Sequence, residues 1–430
     1  MTPDEPASNW RLQATRLAPA FDLLAACAGD GPFRFLLDRE GVGVSAARPG
    51  PLEEHAMQAA TERDLKELGR GVLATLKTIA ALGDANLPPP VAVGQFPFDP
   101  SGIAHLYVPM RAVRRTEAGS AWRLDVLPAS VEPEPFLPAR SIGSPPADAF
   151  GAAQVRESPS ADAYAAAVAT AVERIRAGDL RKVVLARTVE VDAGRPLDPL
   201  RLALRLRAVD PRAYTFITPV GPGDYGSLLV GASPELLISR YGRAVRSTPL
   251  AGSAPRAGDP DEDRANAEAL RASAKNREEH AIVVEAIADA LVPVCEHLRW
   301  DPEPVMLETA NVWHLATRFE GELRDPAPSV VDLVAALHPT PAVCGTPTDV
   351  ARSLIAELEP FDRGGYAGPV GWMDAEGDGE WAIALRCAEL RGDRATLFAG
   401  AGIVRDSEPS LEVEETDRKF RAFLDSLRWG

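Results

Sequence analysis

A few lysines and carboxylates in the chain have types and spacings that could serve proton transfer or hold a cation. Only five of the 46 basic residues are lysine, at positions 66, 77, 182, 275 and 419. Arginine serves a solvated surface equally well. A retained lysine is therefore a candidate for a site where the ammonium must lose a proton, which a guanidinium does not do. Chance retention accounts for Lys66 and Lys77.

Three of the candidates fall on one predicted helix. Glu412, Glu415 and Lys419 are spaced at i, i+3 and i+7, so a helix presents them on one face. Two carboxylates and an ammonium would then point toward one place. A solvated helix with salt bridges accounts for the spacing equally well, and Lys275 with Glu279, four residues apart, fits the same simple description.

Three short strings resemble cofactor or metal motifs and fail on context. GPGDYG (221–226) has the glycine spacing of a dinucleotide loop, but a strand follows it where that motif needs a helix, so we predict a turn. DPDEDR (259–264) and DAEGDGE (374–380) resemble calcium loops but lack the glutamate at the last ligand position. We predict a helix N-terminus for the first and a hairpin turn for the second.

Composition bounds the class of protein. The chain has 430 residues, a net charge of −16 and 46% hydrophobic residues, which is typical of a globular protein with an ample core. The acidic balance argues against nucleic-acid binding. No apolar stretch is long enough for a membrane helix, and the polar start MTPDEPASNWRLQ predicts no secretory signal. Four widely spaced cysteines without a CxxC indicate a reduced, cytoplasmic protein.

The elements that must position these residues divide the chain into three parts. Residues 1–128 form an N-terminal α/β part, 129–160 a Pro/Ala-rich connection, and 161–430 a catalytic region. Apolar spacing predicts helices over 60–82, over 161–177 with Gly178 ending it, and over 260–298 as one long helix. Strands are predicted at FRFLLDREGVGVSA (33–46), around a turn, and at KVVLARTVEV (182–191), YTFITPV and SLLVGAS. Without a βαβ rhythm, we predict an α+β fold with large, mostly antiparallel sheets.

Ten motifs in a fixed order identify a family. They are RKVVLAR (181–187), GASPELL (231–237), STPLAGS (247–253), KNREEHAIVV (275–284), WHLAT (313–317), LHPTPAVCGTP (337–347), ELEPFDRGGYAGPVGW (357–372), EWAIALRC (380–387), LFAGAGIV (397–404) and EVEETDRK (412–419). Over residues 155–428 the chain resembles the chorismate-binding enzymes, and among them the isochorismate synthases. The resemblance implies a sandwich of large antiparallel sheets with surrounding helices.

The resemblance also implies a chemistry. These enzymes bind chorismate with Mg²⁺ and add a nucleophile at ring carbon 2 while the 4-hydroxyl leaves. Lys182 stands where isochorismate and salicylate synthases carry the base for water, and where anthranilate synthases usually have glutamine. Its pKa must be lowered from about 10.4 for this role. Glu235 matches the general acid, whose pKa must be raised by an apolar pocket.

Further residues are assigned by the same resemblance. Glu279 and Glu415 correspond to the metal carboxylates, and Glu412 to an acid that reaches the metal directly or through water. Arg386 matches the arginine that holds the second substrate carboxylate. The remaining expected substrate-pocket residues are Gly252, His314, Ala342, Tyr366, Gly400 and Lys419.

Several positions narrow the product. Ala251 stands where aminodeoxychorismate synthases have a nucleophilic lysine, so that covalent route is closed. Ala342 and Val343 resemble isochorismate synthases, whereas Cys344 departs from the usual residue, and we predict that it packs as a small side chain. The alternatives are a salicylate synthase, which also eliminates pyruvate, and a catalytically silent chorismate-binding protein. A menaquinone or a siderophore pathway, and a monomer or a homodimer, all agree with the sequence.

Overall fold

The structure is a computed structural model that describes residues 10–18, 21–27, 33–47, 51–58, 60–132 and 154–428. The helices in these ranges are α1 (Leu23–Ala26), α2 (Glu62–Ala80), α3 (Ala161–Ala177), α4 (Pro199–Val209), α5 (Pro260–Ala272), α6 (Ala274–Leu291), α7 (Val330–Leu337), α8 (Thr348–Leu358) and α9 (Pro409–Arg428). The strands in the first half are β1 (Trp10–Leu17), β2 (Arg34–Arg39), β3 (Val42–Ala47), β4 (Pro51–Gln58), β5 (Val91–Gln95), β6 (Ile103–Pro109), β7 (Arg111–Arg115), β8 (Ala121–Pro128), β9 (Gln154–Ser158), β10 (Lys182–Asp192) and β11 (Tyr214–Gly221). The remaining strands are β12 (Asp224–Ser233), β13 (Leu236–Tyr241), β14 (Ala244–Thr248), β15 (Leu250–Pro255), β16 (Cys295–Trp300), β17 (Val305–Glu308), β18 (Val312–Ala316), β19 (Phe319–Leu323), β20 (Gly345–Thr346), β21 (Pro369–Asp374), β22 (Gly379–Ile383), β23 (Cys387–Arg391) and β24 (Arg394–Ile403).

The strands form two large sheets and one small one. The twelve-stranded sheet has the order β1-β8-β7-β3-β2-β11-β12-β23-β24-β10-β20, with β9 also paired to β10. The nine-stranded sheet has the order β16-β19-β14-β13-β22-β21-β5-β6-β4, and β15, β18 and β17 form the third. The pairings are antiparallel, which confirms the predicted α+β architecture.

Strands from before and after the predicted connection share both large sheets. β2 pairs with β11 in one sheet, and β5 pairs with β21 in the other. Part of the connection, residues 133–153, lies outside the described residues, and its last part forms β9. Residues 1–128 and 161–430 therefore contribute to a common scaffold.

The main apolar core lies between the two large sheets. Phe35 and Leu185 from the larger sheet belong to one buried cluster with Val93, Ile238 and Trp381 from the other. A second cluster covers the opposite face of the larger sheet and includes side chains of α1, α4 and α9. Burying apolar area on both faces is the main force that holds a layered fold together. No helix in the described ranges is long and apolar enough to cross a membrane.

The local predictions hold with one exception. The predicted pair of strands at 33–46, the helices near 60–82 and 161–177, and the turn at GPGDYG are all present, and Gly178 ends α3 with φ of 91°. The prediction of one long helix over 260–298 was wrong. Ser273 adopts an extended conformation and its hydroxyl accepts from the Asn276 N–H, which ends α5 and begins α6. The segment after Leu291 turns into β16.

Candidate active site

A cavity lies where β10, β15, β18, β24, α6 and α9 converge, and together with the open space at its mouth it has about 700 Å³ of empty volume. Ten of the twelve residues predicted for the site line it, and they are Glu235, Gly252, Glu279, His314, Ala342, Tyr366, Arg386, Gly400, Glu415 and Lys419. The other two, Lys182 and Glu412, lie behind its wall, with 0% and 1% of their surface exposed. The chain thus brings together residues from across more than 230 positions of sequence.

Lys182 is fully buried at the start of β10. Its Nζ lies 3.0 Å from Oε1 of Glu279, in an ion pair that lacks hydrogen-bond alignment. Gly402 of β24 faces the same pair, because a Cβ at this position would lie 2.0 Å from Oε1 of Glu279 and 3.1 Å from Cε of Lys182. The sequence reasoning missed Gly402. Its place in the LFAGAGIV motif, two residues after Gly400, is the signal that could have found it.

Glu235 follows the end of β12 and is 2% exposed. Burial raises the pKa of its carboxyl to about 8, although the charge of Lys182 and the Leu250 N–H oppose the rise. A carboxyl with this pKa is largely protonated at neutral pH and can donate a proton. The structure thus agrees with the raised pKa that a general acid requires.

One face of α9 carries Glu415 and Lys419 into the cavity, as the spacing predicted. Nζ of Lys419 donates to Oε1 of Glu415 at 2.6 Å and to the Gly400 carbonyl at 2.7 Å. Burial raises the pKa of Glu415, but the ammonium of Lys419 and the hydroxyl of Ser253 outweigh it and hold the pKa at about 2. Glu415 is therefore an anion throughout the physiological range. Ser253 was missed by the sequence reasoning, although it closes the STPLAGS motif.

Glu412 is held differently from the other carboxylates. Oε1 of Glu412 accepts from Nζ of Lys275 at 2.5 Å, and the Ser407 hydroxyl donates to the same carboxylate. The simpler alternative, in which Lys275 pairs with Glu279 one turn further along the helix, is not what the structure shows. Lys182 takes that place, because α6 packs with Glu279 turned toward β10 and Lys275 toward α9.

The opposite end of the cavity presents a buried arginine. The Arg386 guanidinium donates to Nε2 of His314 at 3.2 Å, and the backbone of Arg386 has a φ of 49°, a conformation that non-glycine residues seldom adopt. Burial, together with the charges of Arg386 and Lys419, lowers the pKa of His314 to about 3. The imidazole is therefore neutral, and it also forms a hydrogen bond with the backbone of Gly252. It orients a guanidinium that lines the cavity.

Small residues and one tyrosine shape the walls. A Cβ at Gly400 would lie 2.9 Å from the Tyr366 hydroxyl and 3.0 Å from the Leu185 carbonyl oxygen. Gly252 has a φ of 79°, which a side chain would strain. Ala342 completes the wall beside Val343.

A buried ion pair supports this wall from behind. Arg363 donates from Nε to Oε2 of Glu359 at 2.8 Å, and to the carbonyls of Val184 and Val343, both at 2.8 Å. Oε1 of Glu359 accepts from the Ala186 N–H at 2.7 Å. The pair thereby ties β10 to the segment that carries Val343. Both residues lie in the ELEPFDRGGYAGPVGW motif, and no role was predicted for either of them.

Two further predictions concern chemistry outside the cavity. Cys344 is buried, and burial raises the pKa of its thiol to about 11, so it packs as a small side chain and is a poor nucleophile. Within the described ranges, the one group of three acids whose oxygens lie within 4.8 Å of one another is Asp374, Glu376 and Asp378. It occupies the predicted hairpin turn, where Arg114 and Arg240 already bind Asp374 and Asp378.

Comparison with known proteins assigns this arrangement to a family. A model of the family described as "Chorismate binding enzyme" matches residues 139–428. A Mycobacterium tuberculosis (strain ATCC 25618 / H37Rv) protein, provisionally named isochorismate synthase MenF, is 46% identical over 345 residues, which cover 79% of this chain and 86% of the relative. Isochorismate synthase EntC of Escherichia coli (strain K12) is 38% identical over 338 residues, or 78% of this chain and 80% of the relative.

A solved structure agrees with these sequence matches. The menaquinone-specific isochorismate synthase MenF from Escherichia coli superposes with a TM-score of 0.81 at 27% identity. The superposition covers 97% of this chain and 94% of that structure. The similarity therefore extends over the strands that precede the family match, as well as over the cavity.

Proposed function

The chain belongs to the chorismate-binding enzyme family, and from this premise we propose that it is an isochorismate synthase. The reaction is the reversible, Mg²⁺-dependent conversion of chorismate to isochorismate. Menaquinone and siderophore synthesis both consume isochorismate, and the product of this reaction would serve either pathway. Four unpaired cysteines suit a reducing compartment, and we place the enzyme in the cytoplasm.

The observation that carries the proposal is a buried acid beside a buried base. Glu235 is protonated at neutral pH because burial raises its pKa to about 8, and Lys182 is near enough for its charge to act on that pKa. Water addition with loss of a hydroxyl needs one group that accepts a proton and one that donates it. A relative that adds ammonia instead of water has less need of a base such as Lys182.

The residues at the cavity fit a magnesium ion. Glu279 and Glu415 line it, and carboxylate oxygens are the hard ligands that Mg²⁺ prefers, together with waters and substrate oxygens. When bound, Mg²⁺ would neutralise a substrate carboxylate and stabilise negative charge that develops near it. Glu415 suits this role because its low pKa keeps it ionised.

The other cavity residues would hold the second substrate carboxylate. Arg386 is fixed by His314 and offers a planar fork that matches a carboxylate. Lys419 is fixed by Glu415 and the Gly400 carbonyl. Anchoring both ends of the ring keeps it in a reactive orientation.

The proton balance follows from these positions. The water oxygen bonds to ring carbon 2 and its proton passes to Nζ of Lys182. The two ring double bonds each shift by one position toward carbon 4, the bond between carbon 4 and its hydroxyl breaks, and Glu235 gives its proton to the departing oxygen. For Lys182 to take this proton, its ammonium must first give up a proton, and its Nζ must exchange its contact with Glu279 for one with the water. No oxidant or reductant is needed, and the two groups regain their starting states by proton exchange with solvent.

A chromatographic time course with chorismate and Mg²⁺ tests the proposal. We expect an equilibrium mixture of chorismate and isochorismate, abolished by EDTA and by Lys182→Ala or Glu235→Gln. A coupled lactate dehydrogenase assay should detect no pyruvate. Pyruvate with salicylate would instead identify a salicylate synthase, and no conversion by folded, chorismate-binding protein would identify a silent binder.

A further inference from the structure

Each of the three carboxylates assigned to the cation site is paired with a different lysine. The pairs and their N–O distances are Lys182 with Glu279 at 3.0 Å, Lys275 with Glu412 at 2.5 Å, and Lys419 with Glu415 at 2.6 Å. The three lysines are those left unexplained by chance retention. Lys182 and Lys419 have assigned roles in the proposed reaction, whereas Lys275 has none.

The carboxylate that Lys275 binds is set back from the other two. Glu279 and Glu415 line the cavity, whereas Glu412 is 1% exposed and does not. In the part of the chain that the structure describes, the carboxylates of these three glutamates do not form a group within 4.8 Å of one another. Ser407 and Lys275 hold Glu412 from two sides.

Lys275 also connects the two helices that carry the cavity carboxylates. It stands in the first turn of α6, four residues before Glu279, and its partner Glu412 stands on α9, three residues before Glu415. Each spacing is close to one helical turn, or about 4.5–6 Å along the axis. The Lys275–Glu412 bond thus joins α6 to α9 one turn away from the place where Glu279 and Glu415 face the cavity.

We propose that Lys275 is a positioning residue for the cation site. It holds Glu412 behind the cavity wall and, by joining α6 to α9, sets the separation of Glu279 and Glu415. Held there, Glu412 would act on a bound cation through its charge, while Glu279 and Glu415 would supply the carboxylates that line the cavity. The inference rests on the proposed function, since it concerns Mg²⁺ binding by that site.

Calorimetric titration of Mg²⁺ into metal-free protein tests this role without measuring activity. Partners that orient ligating groups typically contribute about 10–100-fold to metal affinity, and we expect Lys275→Met to weaken Mg²⁺ binding by about that factor. Lys275→Arg keeps a cation on Glu412 and should stay within about threefold of wild type. Lys66→Met is the matched control, because Lys66 pairs with Glu62 on the surface of α2, and it should change nothing.

A double-variant comparison separates positioning from a general charge effect. If Lys275 acts through Glu412, then adding Lys275→Met to Glu412→Gln should change Mg²⁺ affinity by less than about twofold. The double variant also leaves no unpaired buried charge, so it remains informative if Lys275→Met alone does not fold. A thermal unfolding scan of each protein establishes folding before the titration.

The remaining outcomes contradict either the role of Lys275 or the magnesium site itself. Unchanged or tighter Mg²⁺ binding in Lys275→Met, or an undiminished effect of that change in the Glu412→Gln background, overturns the role of Lys275 alone. Wild-type protein that binds no Mg²⁺ overturns the magnesium site of the proposed function and the role of Lys275 with it. Chorismate conversion that persists in EDTA identifies that second case independently.

Discussion

The raised pKa of Glu235 predicts how the stability of the protein depends on pH. The carboxyl has a pKa of about 8 in the folded protein against 4.5 as the ordinary value. Because the folded state binds this proton more tightly, the contribution is fully present below about pH 4.5 and is lost as pH rises through about 8. Each unit between the two pKa values is worth about 1.4 kcal/mol. The loss therefore reaches about 3 kcal/mol at pH 7 and about 5 kcal/mol at pH 9.

Glu235→Gln removes this titration and nearly keeps the shape of the side chain. The variant should gain stability over wild type as pH rises, with a small difference near pH 5 that grows by about 3 kcal/mol at pH 7. Unfolding free energies from urea titrations at pH 5, 7 and 9, without metal or chorismate, measure the difference. A gain in stability together with a loss of activity is the usual result of replacing a catalytic residue.

The control is Glu67→Gln, which removes an equal charge from an exposed position on α2. It should change the free energy of unfolding by no more than about 0.5 kcal/mol. A difference between Glu235→Gln and wild type that stays constant from pH 5 to pH 9 would refute the reasoning, because it would mean that Glu235 is equally acidic in the folded and unfolded chain.

Three further changes test the surroundings of the cavity. Gly402→Ala places a methyl 2.0 Å from Oε1 of Glu279, so chorismate turnover should fall at least about 100-fold while the thermal midpoint stays within a few degrees. Arg386→Met removes the fork expected to hold a substrate carboxylate, and steady-state kinetics should show KM raised at least about tenfold. Arg363→Met leaves Glu359 as an unpaired buried charge, which should lower the free energy of unfolding by about 3–5 kcal/mol in urea titrations.

Each of these has a control or a contradicting result. The control for Gly402→Ala is Gly392→Ala. Gly392 lies in an exposed turn before β24 and has a φ of 61°, so this variant should lose stability but keep its chorismate turnover. A normal KM in Arg386→Met would mean that the substrate carboxylate binds elsewhere. Near-normal stability in Arg363→Met would mean that the pair with Glu359 contributes little to the support of β10.

The sequence predicted those parts of the fold that depend on local patterns. Apolar spacing, Gly178 and the turn residues located α2, α3 and the hairpins at 33–46 and around GPGDYG, since these signals act within a few residues. The break at Ser273 was missed because both flanking segments favour helix and only the capping hydroxyl marks the boundary. The pairing of β2 with β11 joins residues about 180 positions apart, and no local pattern carries such information.

The candidate site was predicted chiefly through the ordered motifs. They located ten residues that the fold does bring to one cavity, although their catalytic roles stay predictions. The partner of Lys275 could not be read from spacing, because a helix offers several neighbours and only packing against α9 selects Glu412. Gly402 acts through the space that it leaves and Ser253 through a single hydroxyl, so apart from their places in the LFAGAGIV and STPLAGS motifs nothing in the sequence distinguishes them from other small residues.

The glycine spacing of β24 limits how the cavity can change during evolution. Gly400 and Gly402 are two residues apart on one strand, so they turn the same face toward the cavity, and at these two positions the wall consists of peptide groups. Substitution there can add atoms but cannot remove any. New substrate preferences in this lineage should therefore arise by changes at the segment of Ala342 and Val343 or around His314, where side chains can both grow and shrink. Gly400 and Gly402 of β24 should stay unchanged while such variants are selected.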